Sequence, residues 1–148
     1  MCLMHKDFYA SGFLYHPRTQ QILLQQKNSA KNLANWGLFG GKNLKGETGE
    51  QAFKRVVEKI LNLKPNKTTI HSVYSYFHKD MHKDHYISYA KINKLEQYSP
   101  IKDAVFAWFK FSQIVKLNIS EQTKQDITVG KRVIDASIRK SLGQQTLE

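Results

Sequence analysis

The stretch 40–63, "GGKNLKGETGEQAFKRVVEKILNL", decides how the rest of the chain is read. Its first half is glycine-rich and polar, and its second half carries apolar residues at helical spacing. Thr48, followed three residues later by Gln51, has the spacing of a capping box, in which each side chain bonds the other residue's backbone N–H; a helix is therefore expected over 49–61. Ala52, Phe53, Val56, Val57, Ile60 and Leu61 form a broad apolar face, while Lys54, Arg55, Glu58 and Lys59 lie mainly elsewhere. A buried helix accounts for most of this pattern but leaves the glycine-rich entry without a role.

Upstream, residues 8–16 and 21–26 read as strands joined by the turn His16-Pro17-Arg18-Thr19, which makes a hairpin. A polar loop over 27–35 leads to a short apolar strand over 36–39. Downstream, 69–78 and 85–92 form a second hairpin around a polar turn over 79–84. A strand over 104–111, a helical turn over 112–116 and a helix over 121–142 complete the chain. The last helix presents Ile127, Gly130, Ile134, Ile138 and Leu142 at three- to four-residue spacing. No repeat or proline-rich linker divides the sequence, so residues 1–148 are expected to form one α+β domain. Leu147 and Glu148 are set aside as an expression scar.

At 148 residues the chain is long enough to bury a sizeable core, roughly two thirds of its unfolded surface. No segment approaches the run of about 18 apolar residues that a membrane span needs, so a soluble protein without a membrane partner is expected. The charged break His5-Lys6-Asp7 interrupts any signal peptide, and the single cysteine, Cys2, excludes an internal disulfide; a reducing cytoplasm fits both. The formal charge of +11 is spread along the sequence and favours anionic partners, either nucleotides or nucleic acid.

The run Trp36-Gly37-Leu38-Phe39-Gly40-Gly41-Lys42, with Glu47 and Arg55 at their spacing after it, resembles the Nudix box. Gly41, Glu47, Arg55, Val57 and Leu63 match that family's signature, and "WGLFGGK" is similar to its usual approach with Phe39 in place of proline. "ASGFLYHPRTQQILLQQK" resembles the family's opening hairpin, and "AVFAWFKFSQIVKL" its late strand and short helix. The resemblance implies an α/β/α sandwich around a mixed sheet, with the box helix on one side and the C-terminal helix on the other. It makes Gly40, Gly41, Gly46 and Thr48 the structural residues of the box. Glu47 becomes the candidate catalytic group, although such a glutamate often braces the loop against the arginine, here Arg55.

The departures fall on one function. The family's three main magnesium-binding glutamates correspond to Val56, Lys59 and Ile60, and its late glycine to Asn62. At about 100° per residue, 56, 59 and 60 form a single surface patch, here two aliphatics and a cation. Magnesium requires hard oxygen ligands. Glu58 lies about 200° around the helix from position 56 and Glu50 about 120° away, so neither substitutes. The expectation is a domain that binds a phosphorylated small molecule of nucleoside-diphosphate type with weak or no hydrolysis. Lys42, Arg55 and Lys59 would contact the ligand, with Lys59 taking part of the metal's charge role. No metal or other cofactor is assigned; magnesium belongs only to the alternative, an active pyrophosphohydrolase using other carboxylates. A third reading is a basic nucleic-acid-binding module.

Two further groups read first as structure. "HKDMHKDH" gathers His78, Asp80, His82, Asp84 and His85 in one hairpin turn, at a spacing that matches no defined zinc site. Tyr74, Tyr76, Tyr86 and Tyr89 offer a stacking surface for a base, but cross-strand packing is the commoner use of such tyrosines. Trp36 and Trp108 are assigned to the core.

Overall fold

The computed structural model describes residues 7–27, 35–64, 67–101 and 103–143. Cys2, most of the loop expected over 27–35, and Leu147 and Glu148 lie outside the described residues. The strands are β1 (Phe8–His16), β2 (Gln21–Lys27), β3 (Trp36–Gly37), β4 (Phe39–Lys42), β5 (Thr68–His78), β6 (Lys83–Ile92) and β7 (Ala104–Lys110). The helices are α1 (Gly49–Leu61) and α2 (Glu121–Ser141), with a 3-10 turn at Phe111–Lys116. Both expected hairpins form. The segment expected as one strand over 36–39 is two strands instead, and the second extends to Lys42.

The split has a geometric cause. β1 pairs β2 only at its C-terminal end, from Leu14↔Leu23 to His16↔Gln21. Beyond that point the two strands diverge, and β3 and β4 fill the gap: β3 pairs Gln25 and Gln26 of β2, while β4 pairs Tyr9 to Gly12 of β1. Gln25 Nε2 donates to the Leu38 carbonyl at 2.9 Å and ties down the residue between them. On its other edge β1 runs parallel to β6, from Phe8↔Asp84 to Tyr15↔Lys91. β5 then pairs antiparallel with β6, and β7 with β2, completing a mixed sheet of seven strands among the described residues.

Alternation along β1 separates two cores. Phe8, Ala10 and Leu14 face α1 and pack with Ala52, Phe53, Val57 and Leu61. Phe13 and Tyr15 face the opposite side and pack with Ile127 and Ile134 of α2. The result is a helix, sheet, helix sandwich. Each fully buried large side chain contributes roughly 1.5–3 kcal/mol, so the two faces together outweigh any local propensity. Trp36 and Trp108 are half-buried, packed against the second and the first core respectively. Leu142 departs from expectation: it lies beyond the last turn of α2 and is 69% exposed, because the helix ends before it can return to the sheet. Among the described residues no helix is long and apolar enough to cross a membrane.

Candidate functional site

The local structure of α1 follows from its sequence. Thr48 Oγ1 accepts from the Gln51 N–H at 3.2 Å and Gln51 Oε1 accepts from the Thr48 N–H at 2.9 Å, closing the expected capping box. The helix ends at Asn62, in the left-handed conformation with φ 54°, and the N–H groups of Asn62 and Leu63 both return to the Glu58 carbonyl. Before the helix, Gly46 turns the chain at φ 84°, a conformation that glycine adopts without a Cβ penalty.

The loop is held from both sides. Arg55 Nε donates to Glu47 Oε2 at 2.8 Å, and its Nη2 reaches Glu47 Oε1 at 3.1 Å and the Lys42 carbonyl at 2.8 Å. Glu47 Oε1 also accepts from the Leu44 N–H at 2.6 Å. The Arg55 hydrogen bonds hold the Glu47 carboxyl below its ordinary range despite partial desolvation. Asn43 Oδ1 accepts from the Phe8 N–H at 3.0 Å and joins the loop to the start of β1. Glu47, Arg55 and the backbone of Lys42 are therefore one assembly, while the Lys42 side chain is exposed at the end of β4.

The two glycines face opposite sides. A Cβ on Gly41 would sit 2.9 Å from Val56 Cγ2, and one on Gly40 would meet Tyr9 and the Ser11 Cβ at 2.7 and 2.8 Å. Val56 is accordingly buried against the loop, at 8% exposure. Ile60 packs onto the first core and lines a cleft of about 380 Å³ whose other wall is the segment 97–101 with Phe106. Lys59 points outward, onto an open face shared with Arg55, Lys54 and Glu58. Positions 56, 59 and 60 thus do not form the single surface patch expected of them: the aliphatic side chains are drawn inward by burial and only the cation stays in solvent.

A second constellation sits on the α2 face of the sheet, and the sequence reading did not assemble it. Ser11 Oγ lies 2.7 Å from His85 Nε2, His85 Nδ1 3.1 Å from the Tyr76 hydroxyl, and the Tyr76 hydroxyl donates to Asp126 Oδ2 at 3.3 Å. The Tyr74 hydroxyl and Gln122 Nε2 donate to Asp126 Oδ1 at 2.6 and 3.0 Å. One donor order satisfies every member: Ser11 O–H to His85 Nε2, His85 Nδ1–H to Tyr76, and Tyr76 O–H to Asp126. The signal available in the sequence was Asp126 itself, a carboxylate four residues before Gly130 on the face of α2 that turns to the sheet. His85, expected as the first residue of its strand and grouped with His78, Asp80, His82 and Asp84 about the turn, is the third residue of β6. The strand begins at Lys83, so the turn is only four residues and Asp84 belongs to the strand as well. His78 Nδ1 accepts locally from the Met81 N–H at 3.3 Å. Tyr86 packs edge-on against Phe8 on the α1 side, and Tyr89 is buried on the α2 side.

Burial, reinforced by the charge of His78, lowers the His85 pKa from its ordinary 6.5 to about 4. A base with a depressed folded-state pKa binds fewer protons than the unfolded chain does between those values, so its stabilising contribution is lost as pH falls from about 6.5 towards 4. Burial acts oppositely on Asp126, raising its pKa above the ordinary carboxylate value and offsetting part of the loss near the lower end. Urea midpoints measured across this interval are expected to decline with pH, and more weakly in His85→Gln. An equal decline in both proteins would show that His85 is not the titrating group.

A protein-family model described as the NUDIX domain matches residues 7–128. The chain belongs to the Nudix family. Solved structures with similar folds include a Caenorhabditis elegans Ap4A hydrolase (TM-score 0.69, 17% identity, covering 86% of this chain and 98% of that one). A Nudix hydrolase from Mycobacterium smegmatis, RenU, gives 0.64 and 16% over 89% and 87%, and the Escherichia coli ORF135 protein 0.66 and 15% over 90% and 94%. No curated protein matches the chain significantly. The α+β sandwich is thus the Nudix fold, with the expected box loop at the entry to α1.

Proposed function

We propose that this Nudix domain binds a phosphorylated small molecule of nucleoside-diphosphate type and hydrolyses it weakly or not at all, because its box is degenerate. The family acts on nucleoside-diphosphate-linked compounds, which supports the ligand class. The observation that carries the loss of hydrolysis is the fate of positions 56 and 60, one packed under Gly41 and the other facing the 97–101 segment, neither with an oxygen to offer. The nearby carboxylates are committed elsewhere. Glu47 is held by Arg55 and the Leu44 N–H, and Glu58 sits 3.9 Å from Lys54 on the outer face. These residues do not fit magnesium, which requires a near-octahedral set of hard oxygens.

In this reading Lys42, Arg55 and Lys59 hold the phosphates as fixed charges, and Glu47 keeps Arg55 in place rather than handling a proton. Lys59 is suited to the task, being exposed and free of an ion pair among the described residues. An ammonium offers three donors to phosphate oxygens but cannot deliver a bound hydroxide. Calorimetry with a nucleoside diphosphate in EDTA tests the reading. Binding is expected without metal, weakening with salt and falling about fivefold to tenfold in Lys59→Ala, the effect of one charge-assisted contact. Affinity that appears only with added magnesium would overturn it.

A further inference from the structure

At the end of α1 remote from its capping box, the ends of three elements come together. α1 closes at Asn62, Lys64 follows it, Lys67 immediately precedes β5, and Asn93 and Lys94 follow β6. With Tyr98 they line a cleft of about 500 Å³. That volume falls within the roughly 300–1,000 Å³ of small-molecule sites. The three lysines are exposed, and among the described residues none of them is in an ion pair and Glu96 is the only acidic residue on the wall. A helix C-terminus favours a nearby cation, which accounts for Lys64. It does not account for Lys67, just ahead of β5, nor for Lys94, which comes from a different part of the chain and adds like charge around the same opening.

Tyr98 supplies an independent observation. Its ring packs against the first core, and its buried hydroxyl has no hydrogen-bond partner among the described residues. Leaving a buried hydroxyl unpaired costs roughly 1–3 kcal/mol, which an incoming acceptor would recover. Burial, with a smaller contribution from Glu96, pushes its pKa up to about 12, so the group remains a donor at neutral pH. Tyr98 and Asn62 also line the neighbouring cleft, whose other walls include Ile60, Pro100, Ile101 and Phe106. A basic recess and an apolar one thus share Tyr98 and Asn62 as walls.

We propose that the basic cleft is an anion site, distinct from the box loop, that takes the phosphate group of a small phosphomonoester. Its oxygens accept from the ammonium groups of Lys64, Lys67 and Lys94 and from the Tyr98 hydroxyl, while the organic part of the molecule occupies the apolar cleft beside Ile101. The contacts on the phosphate are charge-assisted and need no metal.

Titration calorimetry of the full chain in EDTA, with inorganic pyrophosphate and with phenyl phosphate as probes, tests the assignment. Both are expected to bind, phenyl phosphate the more tightly for its charge because its ring enters the apolar cleft. Combining Lys64→Ala, Lys67→Ala and Lys94→Ala should weaken phenyl phosphate by at least about tenfold, the expected loss for several charge-assisted contacts, while pyrophosphate held at the box is retained. Tyr98→Phe should weaken phenyl phosphate by about threefold without lowering the melting temperature, since it removes only an unpaired hydroxyl. Lys59→Ala should leave phenyl phosphate binding unchanged, which separates this site from the box. Unchanged phenyl phosphate affinity in the triple variant with a native circular dichroism spectrum, loss of phenyl phosphate binding on Lys59→Ala instead, or no heat from phenyl phosphate at millimolar concentration would each overturn the assignment. So would competition by single-stranded RNA that is insensitive to Tyr98→Phe, because it would mark the lysines as a nucleic-acid surface.

Discussion

Supplied with magnesium and a panel of nucleoside triphosphates, dinucleotides and sugar nucleotides, the purified protein is expected to release neither phosphate nor monophosphate above background. Enzymes at work commonly turn over at about 1–10³ per second, so the difference from an active relative spans orders of magnitude. The reason is geometric as well as chemical. Restoring carboxylates through Val56→Glu, Lys59→Glu and Ile60→Glu does not simply rebuild a metal site, because position 56 lies under Gly41 and position 60 against the first core. A carboxylate placed at either is desolvated before any metal reaches it. The triple variant is therefore expected to lose stability without gaining turnover. EDTA-sensitive turnover by the unmodified protein on any panel member would refute the proposal and require a metal site built from other residues.

The largest effect on folding is expected from a single methyl group. Gly12 lies in the middle of β1, where a Cβ would fall on the Ser88 carbonyl oxygen and 2.9 Å from the Phe53 ring. Ser88 belongs to β6, the parallel neighbour of β1, so the obstacle is backbone within the sheet and not the end of a flexible side chain. Gly12→Ala must push β1 and β6 apart or displace α1. A cost above about 4 kcal/mol is expected, which is the range reserved for substitutions that break a core. Thermal melting monitored by far-UV circular dichroism reads it directly: a melting temperature unchanged from the parent would mean that the sheet absorbs the methyl group elsewhere.

Which parts of the molecule were legible follows from how local their determinants are. Both bounds of α1 could be read because the capping box and the apolar periodicity lie within the helix, and the two hairpins because their turns are contiguous. The Glu47 to Arg55 bridge followed from a recognised spacing and is present with good geometry. The division of 36–42 into two strands was not readable, since it depends on where β1 and β2 diverge. The Ser11, His85, Tyr76 and Asp126 chain joins β1, β5, β6 and α2, and no local pattern brings those residues together. The inward turn of Val56 and Ile60 was missed for a related reason. Angular spacing places a residue around a helix, but the loop and the 97–101 segment decide what lies beyond it.

The parallel pairing of β1 with β6 also sets an order of events. β1 can meet β2 and β4 within the first third of the chain, and α1 can cap that half-sheet as soon as it is made. Its other edge has no partner until β6 arrives, because Phe8 waits for Asp84 and Tyr15 for Lys91. Closing so long a loop is unfavourable until the contacts it brings are complete, which places such topologies towards the slower end of single-domain folding rates. Until then the most buried strand of the finished protein presents an open row of N–H and C=O groups, the condition under which a nascent chain pairs with its neighbours. Synthesis at reduced temperature, or with chaperones that shield an unpaired strand, should therefore raise the soluble yield more than any change at the surface of the folded molecule.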